Sequence, residues 1–424
     1  MAVSSESRIP NPESQLVELI RERGPLTVAA FMELALYDAG IGYYARAAHR
    51  TGRAGDFFTS VDVGPIFGEL IEMQLAEMAE ILAVLKTTVV AQDFSPAFDL
   101  VEAGAGNGQL AADILRAARR RDRSFYDRLR LHLVEASPEA RAAQPATLAE
   151  VGERLVSSSG ALPASFDGAL LANELLDALP VHQVVMREDG LREVYVGAAR
   201  QAHGRASGDG LVTDEGPPST PALAEYLARR QVTLEPGWRA EINLRAVEWM
   251  RDAARRLRRG FIIIIDYGHE ARELYSASHA GGTLTTFTRH TMAGPEAPRA
   301  VPRWLDRAGE QDVTSHVDFT SVRAAAEAEG LVTLGFLDQT YFLMGLLGSR
   351  DSWGSHGSQG SQGSNVENPE NIENLETPEN LKRRLALKTL LMPGGLGSSH
   401  KVLILGKGVG TPALRGCSYR MRAT

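Results

Sequence analysis

The stretch "VEAGAGNGQL", Val101 to Leu110, constrains this chain more than any other. An apolar run, "FDLVEA", ends in Glu102, then Gly104, Gly106 and Gly108 follow at alternate positions, and a helical pattern, "LAADILRAARRR", opens directly after them. Strand, glycine turn and helix in that order make the first half of a βαβ unit, whose ligand sits at the carboxyl end of the strand. A chain built on such a unit needs parallel partner strands and helices to cover both faces.

Both are present. "RLHLVEA", "GALLAN", "HQVVM" and "FIIIIDYG" are short apolar runs, and between them lie helical segments such as "SPEARAAQ", with Ser137 as N-cap and Pro138 at the first helical position, and "LRAVEWMRDAARRLRRG". The prediction is an α/β fold, with a Rossmann-like sheet over residues 96–345. Ahead of it, residues 1–95 read as a helical extension: Leu16, Leu19 and Ile20 share one face, Thr27 is an N-cap, and a long helix starts at "IFGELIEMQ". The polar stretch 199–221 reads as an insertion or hairpin loop, and "DFTSVRAAAEAEGLVTLGFLDQ" as a helix then a strand, with Asp318 as N-cap. Residues 350–380, first Gly/Ser/Gln and then Glu/Asn/Pro, hold too little apolar surface to fold and are predicted disordered; 381–410 are expected to add a helix and a strand that rejoins the sheet.

The chemistry of the turn narrows its ligand. A dinucleotide fingerprint needs glycine at positions one, three and six, but the sixth residue from Gly104 is Gln109; a P-loop fails because no Gly-Lys-Ser/Thr follows. A carboxylate at Glu102 would repel a pyrophosphate. Glu135 ends the next strand, where an acid can accept both ribose hydroxyls, at a spacing somewhat longer than the roughly 20 residues usual for such acids. Together these favour S-adenosyl-L-methionine, which carries a sulfonium, an ammonium and no phosphate.

Composition excludes several alternatives. A formal net charge of -8 argues against a coat for nucleic acid, and the single cysteine, Cys417, allows no disulfide framework and suits a reducing compartment. The ten histidines show no ligand spacing along the chain, so no metal is expected. The N-terminus resembles neither a secretory signal nor a transit peptide, and no apolar run reaches membrane-spanning length, so a cytoplasmic, bacterial-type protein is expected.

The order "GYYA", "GDFFTS", "FGELI", "VEAGAGNGQLAADIL", "LVEASPEARAAQ", "LLANELLDALPVHQVV", "IIIIDYGH", "GTLTTF", "GEQDVTSHVDF" and finally "LMPGGLGSSHKVLIL" resembles the MidA-like class I S-adenosyl-L-methionine-dependent methyltransferases. The 350–380 segment departs from that pattern as an insertion. The resemblance implies a class I methyltransferase sheet and methyl transfer to a protein arginine, with a protein substrate such as a respiratory-complex subunit as partner. A non-catalytic assembly factor that binds the cofactor as a scaffold, or a small-molecule methyltransferase, stays open.

Cofactor contacts are expected from Glu102, Gly104, Ala105, Gly106, Gly108, Glu135 and Ala136, and from Asn173 and Glu174 at the end of "GALLANE". Asp56, Phe57, Thr59 and Ser60 of "GDFFTS" would close over the cofactor as a lid or else pin the extension to the core. On the acceptor side the candidates are Glu174, Asp177, Asp266 and His316, since a guanidinium calls for carboxylates to hold it. The blander reading is that Asn173 and Asp177 cap a short helix and that His316 is structural.

Overall fold

The structure is a computed structural model and describes residues 11–44, 59–88, 97–199, 210–288, 291–292, 302–348, 378–391 and 399–419. The central sheet contains β1 (Phe98–Ala103), β2 (Leu129–Val134), β3 (Leu155–Ser159), β4 (Phe166–Asn173), β5 (Leu257–His269), β6 (Val332–Asp338) and β7 (His400–Lys407). Their order across the sheet is β6-β7-β5-β4-β1-β2-β3, with a short strand Val317–Asp318 added beside the end of β5. Strands β1 to β5 pair in parallel. β7 runs antiparallel to both β5 and β6. The chain steps outward from β1 through β2 to β3, then returns to β4 on β1's other side, so the topological switch point lies between β1 and β4, where open α/β sheets bind ligands.

Helices α1 (Ile66–Thr88), α2 (Gln109–Arg121), α3 (Leu244–Arg256) and α4 (Phe319–Ala328) cover the sheet. One face packs Phe67 and Ile71 of α1 and Ile114 of α2 against Leu100, Leu131, Ile263 and Ile265; the other packs Met250 of α3 and Val322 of α4 against Val101, Leu170, Ile262 and Ile264. The isoleucine run is thus divided between the two faces, as a strand buried on both sides requires. Gly68 lets α1 and α2 approach: a Cβ there would stand 2.6 Å from the Cβ of Asp113.

"HQVVM" does not join this sheet. His182–Arg187 lies between Gly190–Ala198 and Arg239–Ile242 in a separate antiparallel sheet, which Leu26–Thr27 and Leu211–Gly216 complete. An apolar run alone does not tell parallel from antiparallel burial. Within the polar stretch, Leu211–Gly216 pairs antiparallel with Gly190–Ala198. The N-terminal helix Pro12–Arg23 packs Leu16, Val17 and Ile20 with Phe31, Met32 and Trp304 onto Val185, Val194 and Val196 of this second sheet. Leu19, expected on that face, is only half-buried, because Val17 takes the inner position. Thr27, Ser137 and Asp318 cap their helices as expected. Residues 349–377 of the low-complexity segment lie outside the described residues; its last positions belong to the helix Pro378–Leu391.

Candidate functional site

The glycine turn is stitched to β2 and to the helix Pro138–Leu148 that follows β2. The amides of Gly104 and Ala105 donate to the Val134 carbonyl at 2.9 and 3.1 Å, and the Gln144 side-chain amide donates to the Gly106 carbonyl at 2.8 Å. Gly104, Gly106 and Gly108 have φ of 72°, 52° and 83°, a left-handed path that disfavours any other residue. They differ in surroundings. A Cβ on Gly104 would lie 3.1 Å from Leu175 and one on Gly108 3.3 Å from Leu133, but one on Gly106 meets nothing within 4 Å. Gly106 is the glycine whose outer side is open to a ligand.

The two strand-end acids behave differently. Glu135 accepts from the Gly106 amide through Oε2 and from the Ser137 amide through Oε1, both at 2.8 Å, so it joins the turn to the next helix from the position expected for a ribose partner. Glu102 does not offer the open charge expected of it. It is buried, its Oε2 accepts from the Ala111 amide in the first turn of α2 at 3.1 Å, and burial pushes its pKa up to about 8. Glu102 braces the turn from beneath, so the argument from its charge against phosphate loses its footing, while the missing sixth-position glycine keeps its force.

Across the switch point, the residues after β4 form a turn and not a capped short helix. Glu174 has φ 50°, unusual for a residue with a side chain and a mark of a site held against local preference. Asp266 holds this turn: its Oδ2 accepts from the amides of Leu175, Leu176 and Asp177 at 3.1, 2.7 and 3.4 Å, and its Oδ1 from Tyr267 at 2.8 Å. Its carboxylate is fully buried and engaged at both oxygens, so Asp266, expected among the acceptor contacts, acts as a positioning residue. Glu174 itself accepts from the Ser60 amide at 3.4 Å and from Asn173 at 3.2 Å, and lies 3.5 Å from His400 Nε2.

Beyond Glu174 the edge becomes crowded with acids and phenols. Asp177 is buried, and among the described residues its Oδ1 has no hydrogen-bond partner. Burial first, then the nearby charges of Asp266, Asp312 and Glu174, holds its pKa well above the usual carboxylate range. Tyr44 donates to Asp312 at 2.8 Å and Tyr37 to the Ala178 carbonyl at 2.9 Å, with the two rings 5.4 Å apart. Both phenols come from the N-terminal segment, so the second unit walls this side of the site. Sequence reasoning missed Tyr37, Gln144 and His400. His400 could have been found from topology: an antiparallel β7 starts where β5 ends, and the register pairs His400 with Tyr267, their rings 3.8 Å apart.

Thr59 and Ser60, expected to contact the cofactor, bond within the protein. Thr59 bonds Asp62 through both its amide and its hydroxyl at 2.9 Å, and Ser60 is fully buried, bonded by Gln339 at 3.0 Å. They anchor the loop to the core; Asp56 and Phe57 lie outside the described residues. His316 stands beside His269 and His279, ring centroids 5.2 and 5.8 Å away, and not against Glu174. Burial and these two rings lower its pKa to about 4.

The glycine turn at the ends of β1 and β2 thus lies across the switch point from a cluster of acids at the ends of β4 and β5. Residues 78–337 match the Methyltransf_28 family of S-adenosyl-L-methionine-dependent methyltransferases. The chain belongs to that family. It is 30% identical over 355 residues to the mouse mitochondrial protein arginine methyltransferase NDUFAF7, covering 78% of this chain and 73% of that one. The human protein of the same name is 28% identical over 355 residues, with 78% and 72% covered. A COG1565 superfamily member from Burkholderia thailandensis, crystallised with S-adenosyl-homocysteine, superposes with a TM-score of 0.77 at 25% identity, covering 97% of this chain and 95% of that one.

The methyltransferase fold and the S-adenosyl-L-methionine cofactor expected from the sequence are thereby established. The residues fit the cofactor: Gly106 leaves open space, and Asn173 Oδ1, buried without a partner among the described residues, is an acceptor suited to a cationic or amino group. Among the described residues, no helix is long and apolar enough to cross a membrane.

Proposed function

We propose that this methyltransferase modifies an arginine side chain of a protein. The observation that carries the reading is the buried, partnerless Asp177 Oδ1, set among Glu174, Asp266 and Asp312. Crowded carboxylates desolvated together are costly, and a guanidinium, charged at every physiological pH with five donors in a planar fork, offsets that cost. When bound, S-adenosyl-L-methionine supplies an electrophilic methyl on its sulfonium. Asp177 holds the acceptor cation, Tyr37 and Tyr44 flank it, and Glu174 orients the attacking nitrogen and would receive the proton it sheds as the N–C bond forms and the S–C bond breaks, leaving S-adenosyl-homocysteine. The strained turn keeps Glu174 in place for that role.

The mouse and human relatives bear the name protein arginine methyltransferase, which supports the same acceptor class. The partner we infer is a protein, with a respiratory-complex subunit as the first candidate, and the compartment the cytoplasm, which cell fractionation checks. Transfer of labelled methyl to a protein extract, followed by acid hydrolysis, tests the acceptor. Methylarginine is the expected product, strongly reduced in Asp177→Asn; label confined to lysine or to small molecules would contradict the proposal.

A further inference from the structure

We propose that His269, His279 and His316 form a binding site for one divalent transition-metal ion of the zinc class. Three segments deliver them: the end of β5, the single helical turn Ala277–His279 close behind it, and, farther along the chain, the link between strands Asp312–Thr314 and Val317–Asp318. Chain spacing hides the constellation, which is why no metal was expected from the sequence. The fold makes it, because Gly268 and His269 pair in parallel with Val317 and Asp318.

The three imidazoles each offer one ring nitrogen, and these nitrogens lie within 4.8 Å of one another. A tetrahedral zinc with nitrogens at 2.0–2.1 Å asks for about 3.4 Å between them, a closure that small side-chain rotations supply. Every ring touches the other two, with centroids 4.9, 5.2 and 5.8 Å apart.

The surrounding bonds leave ligand positions unused. His279 bonds the Glu273 carbonyl through Nδ1 at 3.0 Å, which sets its tautomer and leaves Nε2 for a metal, the usual outer support of a ligating imidazole. Among the described residues, His316 Nδ1 is buried with no hydrogen-bond partner. His269 Nδ1 lies 3.1 Å from Glu273 Oε1 but out of line for a hydrogen bond, so that carboxylate is at hand as a further oxygen ligand or as a second-layer acceptor. Purely structural packing would pair a buried nitrogen such as His316 Nδ1. Three nitrogen ligands without cysteine match zinc, cobalt or nickel better than calcium or magnesium, which take oxygen. None of the three histidines is fully buried, and a zinc with three protein ligands takes water as its fourth.

The place of the site suggests its use. Ser315, next to His316, donates its amide to the Asp177 carbonyl at 3.0 Å, and His316 donates its own to Thr283 Oγ1 at 3.1 Å. An ion on the three histidines would fasten the 277–283 and 315–318 segments to the end of β5 and so fix the acceptor edge from outside.

Untagged protein stripped with a chelator and dialysed against zinc chloride should retain one equivalent by elemental analysis and melt several degrees higher than the stripped form. Cobalt substitution should give the visible absorption bands of a four- or five-coordinate site. His316→Asn and, as a more exposed change, His279→Gln should each lower zinc retention at least tenfold while still binding S-adenosyl-homocysteine, which shows that they are folded. Zinc retention equal to wild type in both folded variants, or no retention by the wild-type chain, would overturn the site.

Discussion

The two halves of the site are built in opposite ways. On the donor side, the glycine turn, Glu135 and Gln144 belong to one continuous stretch of chain, the first βαβ unit and the helix after it, and satisfy each other around the Gly106 backbone, its amide on Glu135 and its carbonyl on Gln144. On the acceptor side, Glu174, Asp177, Asp312, Tyr37, Tyr44 and His400 come from four separated segments, and Asp177 Oδ1 is left with no partner among the described residues. A pocket for an invariant cofactor can be finished in advance. An edge for a charged acceptor is completed only by the acceptor itself.

The contrast breaks most visibly at Gly106. Gly106→Val forces a branched side chain onto φ 52° and fills the open side of the turn. The folded state should lose roughly 1–3 kcal/mol, and calorimetry should find donor affinity down on the order of 100-fold. Glu174→Gln removes the orienting carboxylate but touches no glycine; methyl transfer should fall on the order of 100-fold, while the donor dissociation constant stays within about threefold. Loss of donor binding of the same size would merge the two halves into one. Asp266→Ala strips four amides of their acceptor and should cost roughly 1–3 kcal/mol in denaturant unfolding, with a similar loss of transfer because the Glu174 turn relaxes.

The smallest effect sharpens the reading of Glu102. Its folded pKa of about 8 lies above its ordinary value of 4.5, so between those values the folded chain holds a proton that the unfolded chain has lost. Stability therefore falls as pH rises through that window. Glu102→Gln keeps an oxygen for the Ala111 amide and carries no charge, so its stability should depend less on pH from 4.5 to 8 than wild type, as melting curves across that range would reveal.

What could be read from the sequence follows the same division. The glycine turn, the capped helices and the buried isoleucine strand rest on neighbours a few residues apart, and periodicity carries that information. The part Asp266 plays beneath the turn and the missed Tyr37 and His400 depend on contacts across more than eighty residues of chain, and the place of "HQVVM" in the second sheet on its pairing with Arg239–Ile242, none of which a local pattern encodes. Glu102 shows a subtler limit: its position was right, but whether a strand-end acid faces the ligand or its own helix depends on a rotamer. The three histidines are the extreme case, since only the pairing of Gly268 with Val317 brings two of them together.

The most direct test of a finished donor pocket beside an unfinished acceptor edge is one calorimetric titration with S-adenosyl-homocysteine, run on wild type, Gly106→Val and Asp177→Asn. The account predicts that Asp177→Asn binds like wild type and Gly106→Val hardly binds at all. Equal loss in both variants, or wild-type affinity in Gly106→Val, would contradict it.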